Sequence, residues 1–196
     1  MTSRSDQRKK LRKLRRAIEP GEHQRRSRIL CQRLMQHRLF RNSRRIAVYL
    51  AADGEVDTRF LIDSAWALGK QVYLPVLRPF GENHLWFARY EPDTPLFKNR
   101  YDIAEPEIEH VRRIEAFALD LVLVPLVGFD ARGNRLGMGG GFYDRSFAHL
   151  LRRRHWQKPR LIGLAFDLQQ VNYLPAKDWD VPLCAVATEH RITEFK

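Results

Sequence analysis

The spacing of apolar residues changes along this chain, and the changes mark its elements. Residues 5–18 place Leu11, Leu14 and Ile18 three and four apart among basic residues, which predicts a helix. Glu19-Pro20-Gly21-Glu22 interrupts it. Pro20 suits the first turn of a second helix, running to about Leu39 with Ile29, Leu30, Leu34 and Met35 facing inward. From Arg45 onward short apolar runs take over. RIAVYL (45–50), QVYLPV (71–76), HLWFARY (84–90), LVLVP (121–125) and the runs 160–166 and 183–188 read as strands. Helices are expected between them. One spans Asp57–Gly69, capped by Asp57 or Thr58 and closed by Gly69, and another spans Gly141–Arg154. Residues 91–110, rich in Pro, Asp and Glu, read as mostly irregular. Alternation of strand and helix predicts an α/β fold: a single three-layer domain over 1–196, with a mostly parallel sheet and the N-terminal helices (about 5–39) packed on the same core.

Composition narrows the class. With 196 residues, 44% hydrophobic and 30% charged, the chain reads as a soluble globular domain. No apolar run approaches the ~20 residues that span a bilayer, so no membrane role is expected. The N-terminus has no apolar leader segment, and Cys31 and Cys184 are isolated from one another. Both features predict a cytoplasmic protein with reduced thiols. The net charge of +12 is concentrated at one end. Residues 1–45 hold 16 Lys/Arg against 3 Asp/Glu, while the rest is nearly neutral. Such a segment suits either nucleic acid or small anionic substrates.

The densest chemistry lies in LVLVPLVGFDARGNRLGMGGGFYDR (121–145). Gly137, Gly139, Gly140 and Gly141 fill four of five positions, which lets backbone N–H groups turn toward one anion. A helix start beyond them adds positive potential. Arg135 and Arg145 supply full charges, and Asp144 is a candidate Mg²⁺ ligand or a first-turn helix acid. A tight strand-to-helix turn is the plain alternative. The string is neither a Walker loop, lacking GK[ST], nor a GxGxxG fingerprint.

Three further features bear on a site. Arg4, Arg8, Arg12, Arg15 and Arg16 recur at helical spacing and either bind phosphates or form a solvated basic face. Asp53-Gly54-Glu55-Val56-Asp57 follows a strand's carboxyl end, where an acid can accept hydrogen bonds from a ligand. Trp86, Phe87, Tyr101, Phe142 and Tyr143 are candidates to line a pocket for a flat ring system. No histidine metal motif, GxSxG or Cys–His pairing points to a covalent nucleophile.

Together these segments resemble the 5-formyltetrahydrofolate cyclo-ligase family, also called 5,10-methenyltetrahydrofolate synthetases. PLVGFDARGNRLGMGGGFYDR is similar to the family signature PxxxFDxxGxRLGxGxGYYDR. The basic N-terminal helix, DGEVDT, KQVYLPV and DWDVPLCAVATE match as well. The resemblance implies a fold like that of ribose-phosphate isomerases and CoA transferases. It implies an ATP- and Mg²⁺-dependent ligase that converts 5-formyltetrahydrofolate to 5,10-methenyltetrahydrofolate, ADP and phosphate. It implies ATP contacts from Arg4 and Arg8, with Arg8 and Arg12 as the alternative register, and from Arg135, Leu136, Gly137, Met138, Gly139, Gly140, Gly141, Phe142 and Tyr143. Arg135, Asp144 and Arg145 are the expected catalytic residues, and Asp144 the metal ligand. Leu50, Glu55, Trp86, Tyr101 and Tyr143 are the expected folate contacts.

Two positions depart from the pattern: Gly140 stands where many relatives carry lysine, and Phe142 where they carry tyrosine. Small-molecule substrates, no specific nucleic acid partner and a monomer are expected. The alternatives are an RNA-binding protein on a repurposed α/β domain and a nucleotide-independent sugar-phosphate isomerase-like enzyme.

Overall fold

The computed structural model describes residues 3–78, 83–107, 111–152 and 158–195. Helix α1 (Arg4–Arg16) is followed by α2 (Pro20–Gln36), with Pro20 in its first turn and the Glu19 carboxylate accepting from the Glu22 N–H. A single turn, α3 (Arg38–Arg41), leads into strand β1 (Arg45–Ala47). Then come α4 (Arg59–Ala67), β2 (Gln71–Leu77) and β3 (Leu85–Arg89). The Asp57 carboxylate accepts the Arg59 N–H at the start of α4, and Gly69, at φ +66°, closes it.

The stretch expected to be mostly irregular is so among its described residues except for a small hairpin, β4 (Leu96–Lys98) and β5 (Ala104–Pro106), and residues 108–110 lie outside the described segments. Strands β6 (Arg113–Ile114), β7 (Leu121–Pro125), β8 (Gly128–Asp130) and β9 (Arg135–Leu136) precede α5 (Phe142–Phe147). The helix expected to reach Arg154 is shorter: it tightens into a 3-10 turn over Ala148–Arg152, beyond which 153–157 are not described. The chain ends with β10 (Arg160–Leu164), β11 (Gln170–Val171), β12 (Ala185–Ala187) and β13 (Ile192–Glu194).

Eight strands form the main sheet in the order β13-β12-β10-β7-β1-β2-β3-β6. The five central strands, β12, β10, β7, β1 and β2, run parallel, while β13, β3 and β6 pair antiparallel at the two edges. Side-chain alternation sorts the core into two faces. Ile46, Val72, Leu121, Leu123 and Ile162 face one way and pack with Leu30, Leu34 and Leu61 of α2 and α4. Ala47, Tyr73, Val122, Val124 and Leu161 face the other way and pack with Phe147 of α5. Each fully buried aliphatic side chain contributes roughly 1.5–3 kcal/mol, and a one-residue register slip would exchange the two sets of side chains and misfit both packed layers at once.

Helix α1 sits on a smaller sheet, β11-β8-β9, through Leu11, which is buried with Val127, Leu136 and Leu174. Leu14, one of the residues whose spacing predicts the helix, is exposed; the residue four beyond Leu11 on the buried side is Arg15. Among the described residues no helix is long and apolar enough to cross a membrane.

Candidate active site

An open cleft of about 950 Å³ lies at the carboxyl ends of β1, β2 and β7, where Tyr49, Leu50, Leu74, Pro75, Val124 and Pro125 form its floor. Parallel strands present loops and unpaired backbone groups at that end, and open α/β sheets place ligands there.

One end of the cleft is cationic. Asp130, fully buried, accepts from the Arg132 and Asn134 N–H groups, the Asn134 side-chain amide and the Leu174 N–H, all at 2.9–3.0 Å. With Gly133 at φ +85° this fixes the turn between β8 and β9. The FDARGN part of the signature is therefore scaffold that delivers Arg135. Arg135 is 7% exposed and ion-paired with Asp144. Burial lowers its pKa, against the raising effect of Asp144.

Beyond β9 the chain passes through Gly137–Gly141, with Gly139 at φ +104° and Gly141 at φ +67°. Helix α1 closes this end. Arg8 donates from Nε to the Gly137 carbonyl at 2.8 Å. Arg4 donates to the Pro175 and Arg135 carbonyls and pairs with Asp180 at 3.2 Å. Arg8 is held below its ordinary pKa by burial and by the charges of Arg4 and Arg12. A cationic cluster of this kind favours an incoming anion.

Arg4 and Arg8 lie against the glycine loop, whereas Arg12 and Arg16 turn to Asp53 while still lining the cleft. Arg15 is buried and bonds to the Asp53 and Leu126 carbonyls and the Asp53 carboxylate. All five arginines thus bond to their own chain rather than presenting an uncommitted basic face.

The other end is suited to a flat, partly apolar ligand. Glu55 lies in the turn after β1, its carboxylate accepting from the Ala52 N–H at 3.2 Å. Burial raises its pKa above the usual carboxylate value, although Arg15 opposes the shift. Tyr101, at the tip of the β4–β5 hairpin, is half exposed and meets Phe142 edge to face, with ring centroids 6.0 Å apart. Tyr143 stands between the two ends. Burial and the Glu55 charge raise its hydroxyl pKa, while Arg135 acts to lower it.

Most expected site residues converge on the cleft: Arg4, Arg8, Leu50, Glu55, Tyr101, Arg135, Gly137, Met138, Gly139, Gly140, Gly141, Phe142, Tyr143 and Asp144. Three do not line it. The Leu136 side chain is in the core beside Leu11. Arg145 turns back to donate to the Gly140 carbonyl and sits over Gly141, which makes it a brace for the loop. Trp86 is on the face of β3 opposite its cleft-lining neighbour Leu85, with the guanidinium groups of Arg113 and Arg78 at 4.4 and 5.2 Å from its ring centroid. Strand alternation separates the two neighbours.

The structure also adds residues. Trp179 and Asp180 enter the cleft from the DWDVP segment with Lys177 just ahead of it, and Asn99, Asp102 and Glu105 from the hairpin. Their sequence signal was slight, since isolated polar residues in loops carry no period. Asp144 and Asp180 offer the hard oxygens that Mg²⁺ prefers, and magnesium sites commonly combine one or two carboxylates with substrate phosphates. Both hydrogen bonds that Asp144 accepts among the described residues, from Arg135 and from the Val181 N–H, use Oδ1. That arrangement fits a metal approaching Oδ2.

Comparison with known proteins gives the family. Residues 1–189 match the model of the 5-formyltetrahydrofolate cyclo-ligase family. The chain is similar to the 5-formyltetrahydrofolate cyclo-ligase of Escherichia coli, at 41% identity over 94% of this chain and all of that one. It is similar to the Haemophilus influenzae enzyme of the same name, at 48% identity over 73% and 74% of the two chains. The NMR structure of Aquifex aeolicus 5,10-methenyltetrahydrofolate synthetase superposes with a TM-score of 0.82 at 30% identity, covering 98% of this chain and 93% of that one. A matched family model over nearly the whole length, a shared fold and a cleft assembled from the signature residues lead to one assignment: the chain belongs to the 5-formyltetrahydrofolate cyclo-ligase family.

Proposed function

We propose that this protein closes the ring of 5-formyltetrahydrofolate to give 5,10-methenyltetrahydrofolate, with conversion of ATP to ADP and phosphate. The observation that carries this reading is the two-ended cleft. Arginines and a glycine loop gather at one end, a desolvated Glu55 lies at the other, and Tyr143 stands between them.

The chemistry explains why no protein nucleophile is needed. A formamide carbon is a poor electrophile because the nitrogen lone pair is delocalised into the carbonyl. Transfer of the γ-phosphoryl group to the formyl oxygen converts that oxygen into a leaving group. N10 then attacks the carbon and loses its proton, the carbon–oxygen bond breaks, and phosphate departs as the amidinium ring closes.

The protein's task is alignment and charge neutralisation. Arg4, Arg8 and Arg135 hold the phosphates, together with N–H groups of the 137–141 loop. Glu55 accepts hydrogen bonds from the donor edge of the pterin, and Leu50, Tyr101 and Tyr143 pack on the rings. Asp144, with Asp180 beside it in the cleft, would hold Mg²⁺, which when bound supplies positive charge for the phosphate oxygens.

The test is a spectroscopic assay for the methenyl product with 5-formyltetrahydrofolate, run with and without MgATP. Product formed only when MgATP is present supports the reading. Folded protein that gives no product, or product without ATP, overturns it.

A further inference from the structure

Asp53 has no part in the reaction as proposed, yet its carboxylate is engaged by three arginines that belong to one helix. Its backbone is left-handed, at φ +54°, and Gly54 follows at φ +72°. Left-handed backbone is uncommon for residues other than glycine, with Asn and Asp the best tolerated. In this conformation one short side chain meets three guanidinium groups of α1. Arg12 donates to Oδ2 at 2.8 Å, Arg15 to Oδ2 at 2.7 Å, and Arg16 to Oδ1. The Asp53 carbonyl accepts again from Arg15 at 2.9 Å. Burial acts to raise the pKa of Asp53, but the bonds from Arg12 and Arg16 and the charges of Arg15 and Arg12 outweigh it and hold the carboxyl below its ordinary value.

These contacts lie on the carboxyl half of α1. The amino half carries Arg4 and Arg8, which meet the glycine loop. A helix is stiff over three turns, so anchoring one half aims the other. The turn that holds Asp53 also carries Glu55, two residues on. One short segment therefore presents the acceptor at one end of the cleft and fixes the helix that supplies cations to the other.

We propose that Asp53 is a positioning residue for nucleotide use: its carboxylate clamps α1 so that Arg4 and Arg8 meet the glycine loop. The proposal rests on the cyclo-ligase reading of the cleft.

The experiment compares wild type with Asp53→Asn, which suits the same backbone and removes the charge. KM values for MgATP and 5-formyltetrahydrofolate, kcat, and equilibrium binding of adenylyl imidodiphosphate are measured, with circular dichroism as the check on folding. The expected result is a rise in the ATP KM of about tenfold, with kcat and the folate KM within about twofold, the pattern of lost binding rather than lost transition-state contact. The Arg8→Ala variant and the double variant complete a cycle. If Asp53 acts through α1, its effect on ATP shrinks when Arg8 is already absent; additive effects overturn the proposal. An unchanged ATP KM in folded Asp53→Asn overturns it as well. Should that variant not fold, Asp53→Glu replaces it, keeping the charge on a longer arm; the expected and contrary outcomes are the same. Failure of the cyclo-ligase reading shows in the wild type, as absent ATP-dependent turnover, and failure of the clamp shows only in the variants.

Discussion

Arg135 and Asp144 form an ion pair across the glycine loop, and Asp144 Oδ1 also accepts the Val181 N–H at 3.1 Å. The pair joins the strand before the loop, the helix after it and the DWDVP segment. It therefore serves both to shape the loop and to present a cation to it.

Arg135→Ala is expected to reduce kcat/KM for ATP by about 100-fold, the scale seen when one donor to developing charge is removed. Folate binding, measured by equilibrium titration, should change by less than about threefold. Because Arg135 is buried and its loss leaves Asp144 without that partner, the melting temperature should fall as well. Intact ATP use would assign Arg135 to the scaffold alone.

Glu55→Gln tests the opposite end. The raised pKa of Glu55 means that burial disfavours its charged form. The folded protein therefore binds this proton more tightly than the unfolded chain. Its cost to stability is absent below the unfolded pKa and fully present above the folded one, so stability falls as pH rises between them. If Glu55 is the pterin acceptor as proposed, folate binding uses its charged form and should weaken as pH drops through the raised pKa. In Glu55→Gln the folate KM should rise about tenfold or more, as for loss of a hydrogen bond to a charged group. The acid limb of folate affinity should disappear, the ATP KM should hold, and the melting temperature at neutral pH should not fall. Steady-state kinetics give the KM values, isothermal titration across a pH series gives the acid limb, and a thermal melt gives the stability.

Trp86→Leu should leave both KM values within about twofold. Trp86 is stacked against Arg78 and Arg113 away from the cleft. Its loss removes cation–π contacts worth roughly 0.5–1 kcal/mol each at exposed sites, so thermal stability is where the change should register. A large loss of folate affinity would return Trp86 to the pocket.

Lys177 lines the cleft, with its ammonium group 4.8 Å from the Trp179 ring centroid. The loop has no lysine of its own at position 140, and an added Cβ there would lie 2.7 Å from the Phe142 ring. Lys177→Ala should therefore raise the ATP KM about threefold to tenfold, a single partly solvated phosphate contact, with folate KM unchanged and Lys177→Arg recovering most of the loss. Steady-state kinetics on the three proteins check this.

How far these features were legible depends on how each residue signals itself. The LVLVP strand was found at its true limits because a run buried on both faces leaves a continuous apolar signature. Pro20 and Gly69 marked helix ends through their own backbone chemistry. The two- and three-residue strands β8, β9 and β11 were missed, being too short to show a period. Leu14 marks α1 by its spacing, yet it is exposed and Arg15 is the residue that turns inward. A buried arginine is a tertiary event, made acceptable by Asp53 and two carbonyls that lie 38 to 111 residues away. Trp86 was placed in the cleft by residue type, and only the sheet register shows which side of the strand it occupies. Asp130 was visible within the signature, but its role as the knot of a turn needed the structure.

The docking of α1 has a practical consequence for handling the protein. Ser3 caps the helix and Arg4, the next residue, already touches the opposite wall of the catalytic cleft. An affinity tag or fusion partner joined ahead of Ser3 starts at the mouth of the cleft, where bulk or negative charge would compete with a nucleotide held as proposed. Preparations extended at the amino end should thus show weaker apparent nucleotide affinity than the same protein after the extension is trimmed, and enzymological work is better served by a carboxyl-terminal handle.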